Sequence, residues 1–230
     1  MITAATEKAK SEAVAVPDFL FDGPKTAKLT LILAHGAGAP MDNAFLETFA
    51  KGVAKAGIRV ARFEFPYMAA RRKDGKKRPP DSASKLLDAF RAAAHVFKGK
   101  RFAIGGKSMG GRIASMVADE VGATALVCLG YPFHPPGNPK KSRTEHLYAL
   151  KTPTLIVQGT RDPFGKPNEV KAFALPKRIR IRWIEDGEHS FKPTRASGRT
   201  EAQALAEAID AAVTFLATSA TRRGRRNGLS

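Results

Sequence analysis

The sequence predicts an α/β protein: one doubly wound, mostly parallel sheet with no large lid domain. Three observations lead there. Apolar runs alternate with amphipathic stretches along nearly the whole chain. Several of those runs, such as Leu29–Ala34 and Ala125–Leu129, are almost uninterrupted, as strands covered on both faces are. Finally, Gly106-Lys107-Ser108-Met109-Gly110 stands between the apolar run Phe102–Gly105 and a helix-like run, Arg112–Asp119.

In chain order, residues 1–17 read as a polar tail. Glu7, Lys8, Lys10 and Glu12 break up its alanines, so it lacks the apolar core of a signal peptide and no secretion by that route is expected. Phe19 and Phe21 alternate with other residues before an Asp22-Gly23 turn, predicting a short entry strand or hairpin. Leu29–Ala34 is a buried strand, and His35-Gly36-Ala37-Gly38-Ala39-Pro40 follows it. Asp42 is the expected cap of a helix ending at Gly57, with Phe45, Phe49 and Val53 on its apolar stripe.

Ile58–Phe63 is the next strand, and residues 66–80 read as a basic loop. Asp81 or Ser82 caps a helix reaching about Phe97. After the Ser108 turn and its helix, Ala125–Leu129 is a strand, residues 131–144 a proline-rich loop, and Thr154–Val157 another strand, with Asp162 just beyond. Ile179, Ile181 and Trp183 alternate with Arg180 and Arg182, the pattern of a strand nearer the sheet edge, and His189 follows it. A closing helix spans about Arg199 to Leu216, and residues 218–230 read as a basic tail. The domain therefore covers residues 18–217.

Composition narrows the class. No apolar run approaches the roughly 20 residues that span a bilayer, so no membrane span is expected. Cys128 is the only cysteine, which precludes an internal disulfide and suits a cytoplasmic protein. The histidines lack metal-ligand spacing, and no phosphate-cradling glycine loop opens a helix, so neither metal nor cofactor is expected. Net charge is +18, with 39 Lys and Arg against 21 Asp and Glu. Such an excess invites nucleic acid, but no recognised binding motif accompanies it. The arginine tail offers at most a sequence-independent contact.

The chemistry gathers in the loops that follow strands. A serine hydroxyl needs a base within hydrogen-bond reach, and the base needs a partner that fixes its tautomer. Ser108, Asp162 and His189 each follow a strand, so all three lie at the carboxyl edge of one sheet, where ligands bind in such folds. Asp186 is the rival acid, because it shares the His189 loop. The glycines flanking Ser108 permit a tight turn that lifts its hydroxyl above the sheet. The Met109 amide then points at the same spot, and the Ala37 amide is the second candidate oxyanion donor. His35 is expected to orient rather than act as a base. His35, Gly36, Lys107, Tyr131, His134 and Phe164 are candidates to line a substrate pocket, with Arg71 and Arg72 on its rim.

Together, His35–Pro40, Phe63–Met68, Gly105–Arg112, Gly130–His134, Gln158–Gly165 and residues 186–193 resemble the α/β-hydrolase superfamily. Within it they are similar to the dienelactone-hydrolase-related branch, which includes the testis-expressed and NSL-complex α/β-hydrolase-like proteins. The resemblance spans about Phe19 to Leu216 and implies Ser108, Asp162 and His189 as the triad. The expected function is cleavage of a small ester, thioester or similar acyl substrate, anionic if the basic loops select for charge. The competing expectation is a catalytically idle binding or scaffold module that contacts partners or nucleic acid through those loops.

Overall fold

A computed structural model describes residues 15–224. The strands are β1 (Phe19–Asp22), β2 (Thr30–Ala34), β3 (Arg59–Phe63), β4 (Phe102–Lys107), β5 (Leu126–Leu129), β6 (Thr154–Gly159) and β7 (Ile179–Ile184). They form one seven-stranded sheet in the order β1-β3-β2-β4-β5-β6-β7. Only β1 runs antiparallel, against β3; every other pairing is parallel. Parallel neighbours require crossover connections, and the helices supply them.

Alternation along each strand sorts side chains between two cores. Leu31, Leu33 and Val60 face the side covered by α1 (Ala44–Lys55) and α7 (Glu201–Gly224), among Leu46, Phe49, Val53, Ala208 and Leu216. Ile32, Ala34 and Phe63 face the side covered by α3 (Ala83–His95) and α4 (Met109–Val117), among Leu86, Phe90, Ile113 and Val117. Each fully buried Leu, Ile or Phe side chain contributes about 1.5–3 kcal/mol, so both layers anchor the sheet firmly. β7 closes one border of the sheet, as its arginine alternation predicts; Arg180 and Arg182 are exposed while Ile179 and Ile184 are buried.

Four local expectations are corrected. Residues 66–80 are not one loop, because α2 occupies Pro66–Asp74. Pro66 sits at the start of α2, where the missing N–H costs nothing, and buried Tyr67 and Met68 anchor it. The cap of α1 is Asn43, whose side chain accepts from the Leu46 amide; Asp42 instead pairs with Arg72. Two short helices, α5 (Glu145–Ala149) and α6 (Pro167–Lys171), stand where no regular structure is predicted. The last helix runs past Leu216 to Gly224, so the expected tail begins as helix. Residues 1–14 of the expected N-terminal tail, and Arg225 and Arg226, lie outside the described residues.

Between β5 and β6, α5 is the only helix, so no lid domain rises there. No helix among the described residues is long and apolar enough to cross a membrane.

Candidate active site

Ser108 joins β4 to α4 with φ 51° and ψ −115°. A non-glycine residue in such a conformation costs on the order of 1–3 kcal/mol and persists only where surrounding packing enforces it. The enforcement comes from the flanking glycines. A Cβ at Gly106 would lie 2.5 Å from the Gly110 carbonyl carbon, and one at Gly110 would lie 2.5 Å from the His35 carbonyl oxygen. The turn therefore packs backbone on backbone, and the serine side chain is the one that projects.

The three candidates from distant loops meet. His189 Nε2 lies 2.9 Å from Ser108 Oγ, and His189 Nδ1 lies 2.8 Å from Asp162 Oδ2. Asp162 is fully buried, while the imidazole keeps about a fifth of its surface exposed. A buried carboxylate needs several donors. The Phe164 amide donates to its Oδ1 at 2.9 Å and Gln158 Nε2 to its Oδ2 at 2.9 Å. The Nδ1–H tautomer satisfies the carboxylate and leaves Nε2 as acceptor for the serine O–H. The ring of Phe164 packs against the imidazole, centroids 4.4 Å apart.

Asp186, the rival acid, is committed elsewhere. Its Oδ2 accepts from both the amide and the hydroxyl of Thr194 at 2.6 Å, and Arg161 pairs with its other oxygen at 2.8 Å. These bonds close the turn after β7, and they hold its carboxyl below the usual carboxylate range.

The loop after β2 faces the Ser108 turn. His35 is fully buried, accepts at Nε2 from the Phe65 amide (3.1 Å) and donates from Nδ1 to the Gly36 carbonyl (2.6 Å). Burial lowers its pKa, which keeps this neutral tautomer. Tyr67 Oη donates to the Ala37 carbonyl at 2.8 Å. In a trans peptide the carbonyl and the following N–H point in opposite directions. Gripping the Gly36 carbonyl therefore turns the Ala37 N–H the other way. Met109, first residue of α4, carries one of the amides a helix start leaves unpaired within the helix.

The pocket candidates divide. Lys107 is buried and donates to the His189 carbonyl at 2.8 Å. Tyr131 is fully buried; its hydroxyl donates to the Arg143 carbonyl and its amide to Gln158 Oε1. Both ring nitrogens of His134 are engaged, one with the Pro135 carbonyl and one with Glu169. Arg72 is bonded to both Asp42 and Glu64, and these carboxylates raise its pKa further. Arg71 stands in the last turn of α2.

Sequence reasoning missed Gln158, which links Asp162 to the backbone of Tyr131. Its signal was a lone amide at the end of an apolar strand. It also missed Arg112, one helical turn after Ser108. Arg112 Nε is buried without a hydrogen-bond partner among the described residues. Burial and the charge of Arg112 lower the pKa of Arg143. The same two causes push the neighbouring His146 down to about 4.

A serine on a strained turn, a buried carboxylate behind an imidazole and a glycine loop at the carboxyl edge of a parallel sheet define a serine-hydrolase type of fold. A family model described as the alpha/beta hydrolase domain matches residues 27–217, and the chain belongs to that family. Its structure is similar to a lidless serine hydrolase from Xanthomonas campestris (20% identity, 86% of this chain and 88% of that one, TM-score 0.65). It is also similar to a dienelactone hydrolase from Anabaena variabilis (20%, 89% and 99%, TM-score 0.68). A third likeness is to Est1E from Butyrivibrio proteoclasticus, solved with ferulic acid (15%, 89% and 96%, TM-score 0.70). At these identities the likeness is one of fold.

Proposed function

We propose that this chain is a serine hydrolase that cleaves a small ester, thioester or similar acyl substrate. One observation carries the reading: the unbroken hydrogen-bond chain from Ser108 Oγ through the His189 imidazole to the buried Asp162 carboxylate. His189 Nε2 takes the hydroxyl proton as Oγ attacks the substrate carbonyl. The Met109 and Ala37 amides face the developing oxyanion, each donor contributing on the order of 3–4 kcal/mol. The imidazolium returns its proton to the leaving oxygen or sulfur as the carbonyl re-forms, leaving an acyl-serine. Water, deprotonated by His189, attacks that ester; the carboxylic acid leaves and Oγ regains its proton.

The short connection between β5 and β6 favours compact acyl groups over long lipids. An anionic acyl chain is the substrate class we favour. The support is the Arg112 and Arg143 pair beside the Ser108 helix, rather than Arg72, whose donors are already taken. A lone buried Cys128, its thiol pKa raised by burial, suits the cytoplasm as the site of action.

A fluorophosphonate probe tests the assignment. Labelling of wild type, lost in Ser108→Ala and slowed in His189→Ala, is the expected result. No labelling of folded wild-type protein would overturn it and favour a catalytically idle module.

A further inference from the structure

The amino edge of the sheet, opposite the Ser108 turn, carries a feature that the chemistry leaves unused. Two cavities of about 690 and 420 Å³ adjoin there and share Gly122. Their walls come from the segments entering four neighbouring strands, β4, β5, β6 and β7, together with parts of α3 and α7. Lys98 and Lys100 stand before β4, Lys151 before β6, Lys177 before β7 and Arg180 within it. All five side chains are exposed, and none forms an ion pair among the described residues.

The carboxylates in the walls are already engaged. Asp119 accepts from the Lys151 and Thr152 amides and the Thr152 hydroxyl. Glu120 pairs with Arg91. Arg178 is exposed but donates to the carbonyls of Leu150 and Tyr148. Asp119 keeps its negative charge near Lys151, so the five exposed cations outnumber the two carboxylates in the walls and leave an excess of positive charge along a concave path.

The dimensions select among anions. Strands in a sheet lie about 4.8 Å apart, so the starts of β4 and β7 are separated by about 14 Å. One strand of a duplex presents successive phosphates along a backbone that winds about its axis, advancing about 3.4 Å of axial rise each, so a path of this length meets more than one of them. A single phosphate group would use only part of it. A lipid surface is flat and would not enter the concavity. Phe102 and Phe215 contribute to the walls but are nearly buried, at 6% and 7% exposure, so neither offers a face for a base to stack on.

We propose that this amino-edge groove binds the phosphodiester backbone of nucleic acid without reading its sequence. The contact is remote from Ser108 and does not rest on the hydrolase reading, so either can fail without the other. The groove also explains why charge accumulates on an edge where no substrate arrives.

The test is fluorescence anisotropy of a labelled mixed-sequence DNA duplex with the full chain across a salt series. The variant Lys151→Glu/Lys177→Glu/Arg180→Glu is compared with a charge-matched control, Lys76→Glu/Lys140→Glu/Lys141→Glu. Wild type should lose affinity by about 0.9 log units per contacted phosphate for each tenfold rise in salt. The groove variant should bind at least about tenfold more weakly and with a shallower slope, while the control changes less than about threefold. Fluorophosphonate labelling should be equal in wild type and the groove variant. Should the glutamate variant misfold, Lys151→Gln/Lys177→Gln/Arg180→Gln, which removes charge without reversing it, answers the same question. Equal weakening by groove and control variants would overturn the proposal, as would unchanged binding in a folded groove variant. Groove-dependent binding to phosphatidylserine vesicles with none to duplex would replace it with a membrane contact.

Discussion

Lys107 Nζ lies 2.8 Å from the carbonyl oxygen of His189, so the residue before the serine grips the one that carries the imidazole. The bond ties β4 to the loop after β7, across two intervening strands. Burial lowers the Lys107 pKa to about 8, against the opposing pull of Asp162 and Glu188. The unfolded value is near 10.4. Between those values the unfolded chain binds the proton more, so the group's contribution to stability rises as pH rises from about 8 to about 10.4. The Tm of wild type minus that of Lys107→Met should grow in wild type's favour across that window. A flat difference would show that the ammonium is solvated in the folded protein. The same variant should lose about tenfold in kcat, because His189 loses an anchor.

The two aspartates near His189 make separate sets of bonds. Asp162→Asn should keep the fold and lose on the order of 10⁴ in kcat, since an amide stabilises the wrong imidazole tautomer. Asp186→Asn should stay within about threefold of wild-type kcat but melt earlier, because its bonds close the turn after β7. Measured rates in the reverse order would transfer the role to Asp186.

The glycine loop after β2 is aimed from behind. Tyr67→Phe deletes the bond to the Ala37 carbonyl, and His35→Ala deletes the grip on the Gly36 carbonyl. Both should lower kcat while leaving KM nearly unchanged, His35→Ala by up to about 10² and Tyr67→Phe by less. A change confined to KM would mean that the loop binds substrate without stabilising the oxyanion.

Arg112 and Arg143 supply the test of substrate charge. Arg143→Ala should reduce kcat/KM for a dicarboxylic half-ester by about tenfold or more, the scale of a charge-assisted hydrogen bond. The neutral methyl ester should be unaffected. The preference in wild type should also weaken with added salt. Equal losses on both esters would assign Arg143 to folding alone.

The sheet was legible because buried parallel strands are written as apolar runs with nothing else to explain them. Ser108 and Asp162 were legible because each follows such a run, and His189 because it follows an alternating strand of the same sheet; topology then brings the three together. The helix at Pro66–Asp74 was not, because its last turn is Arg71-Arg72-Lys73 and basic runs look like solvent-facing loop. Its stability comes from Tyr67 and Met68 in the core and from Arg72 reaching Asp42 and Glu64, contacts distant in the chain. Gln158 was invisible for the opposite reason. It lies inside β6, and its value depends on a carboxylate four residues later and a backbone amide twenty-seven residues earlier. Asp42 lost its capping role to its neighbour Asn43 once Arg72 offered it a charged partner. Short-range pattern fixes where strands and turns fall; polar partnerships across the fold decide what individual side chains do.

The imidazole hangs from the segment just beyond β7, a strand bordered by β6 alone. Peripheral strands open before interior ones. On slow warming, turnover should therefore vanish while most of the ellipticity persists, and storage life judged by activity will be shorter than storage life judged by shape.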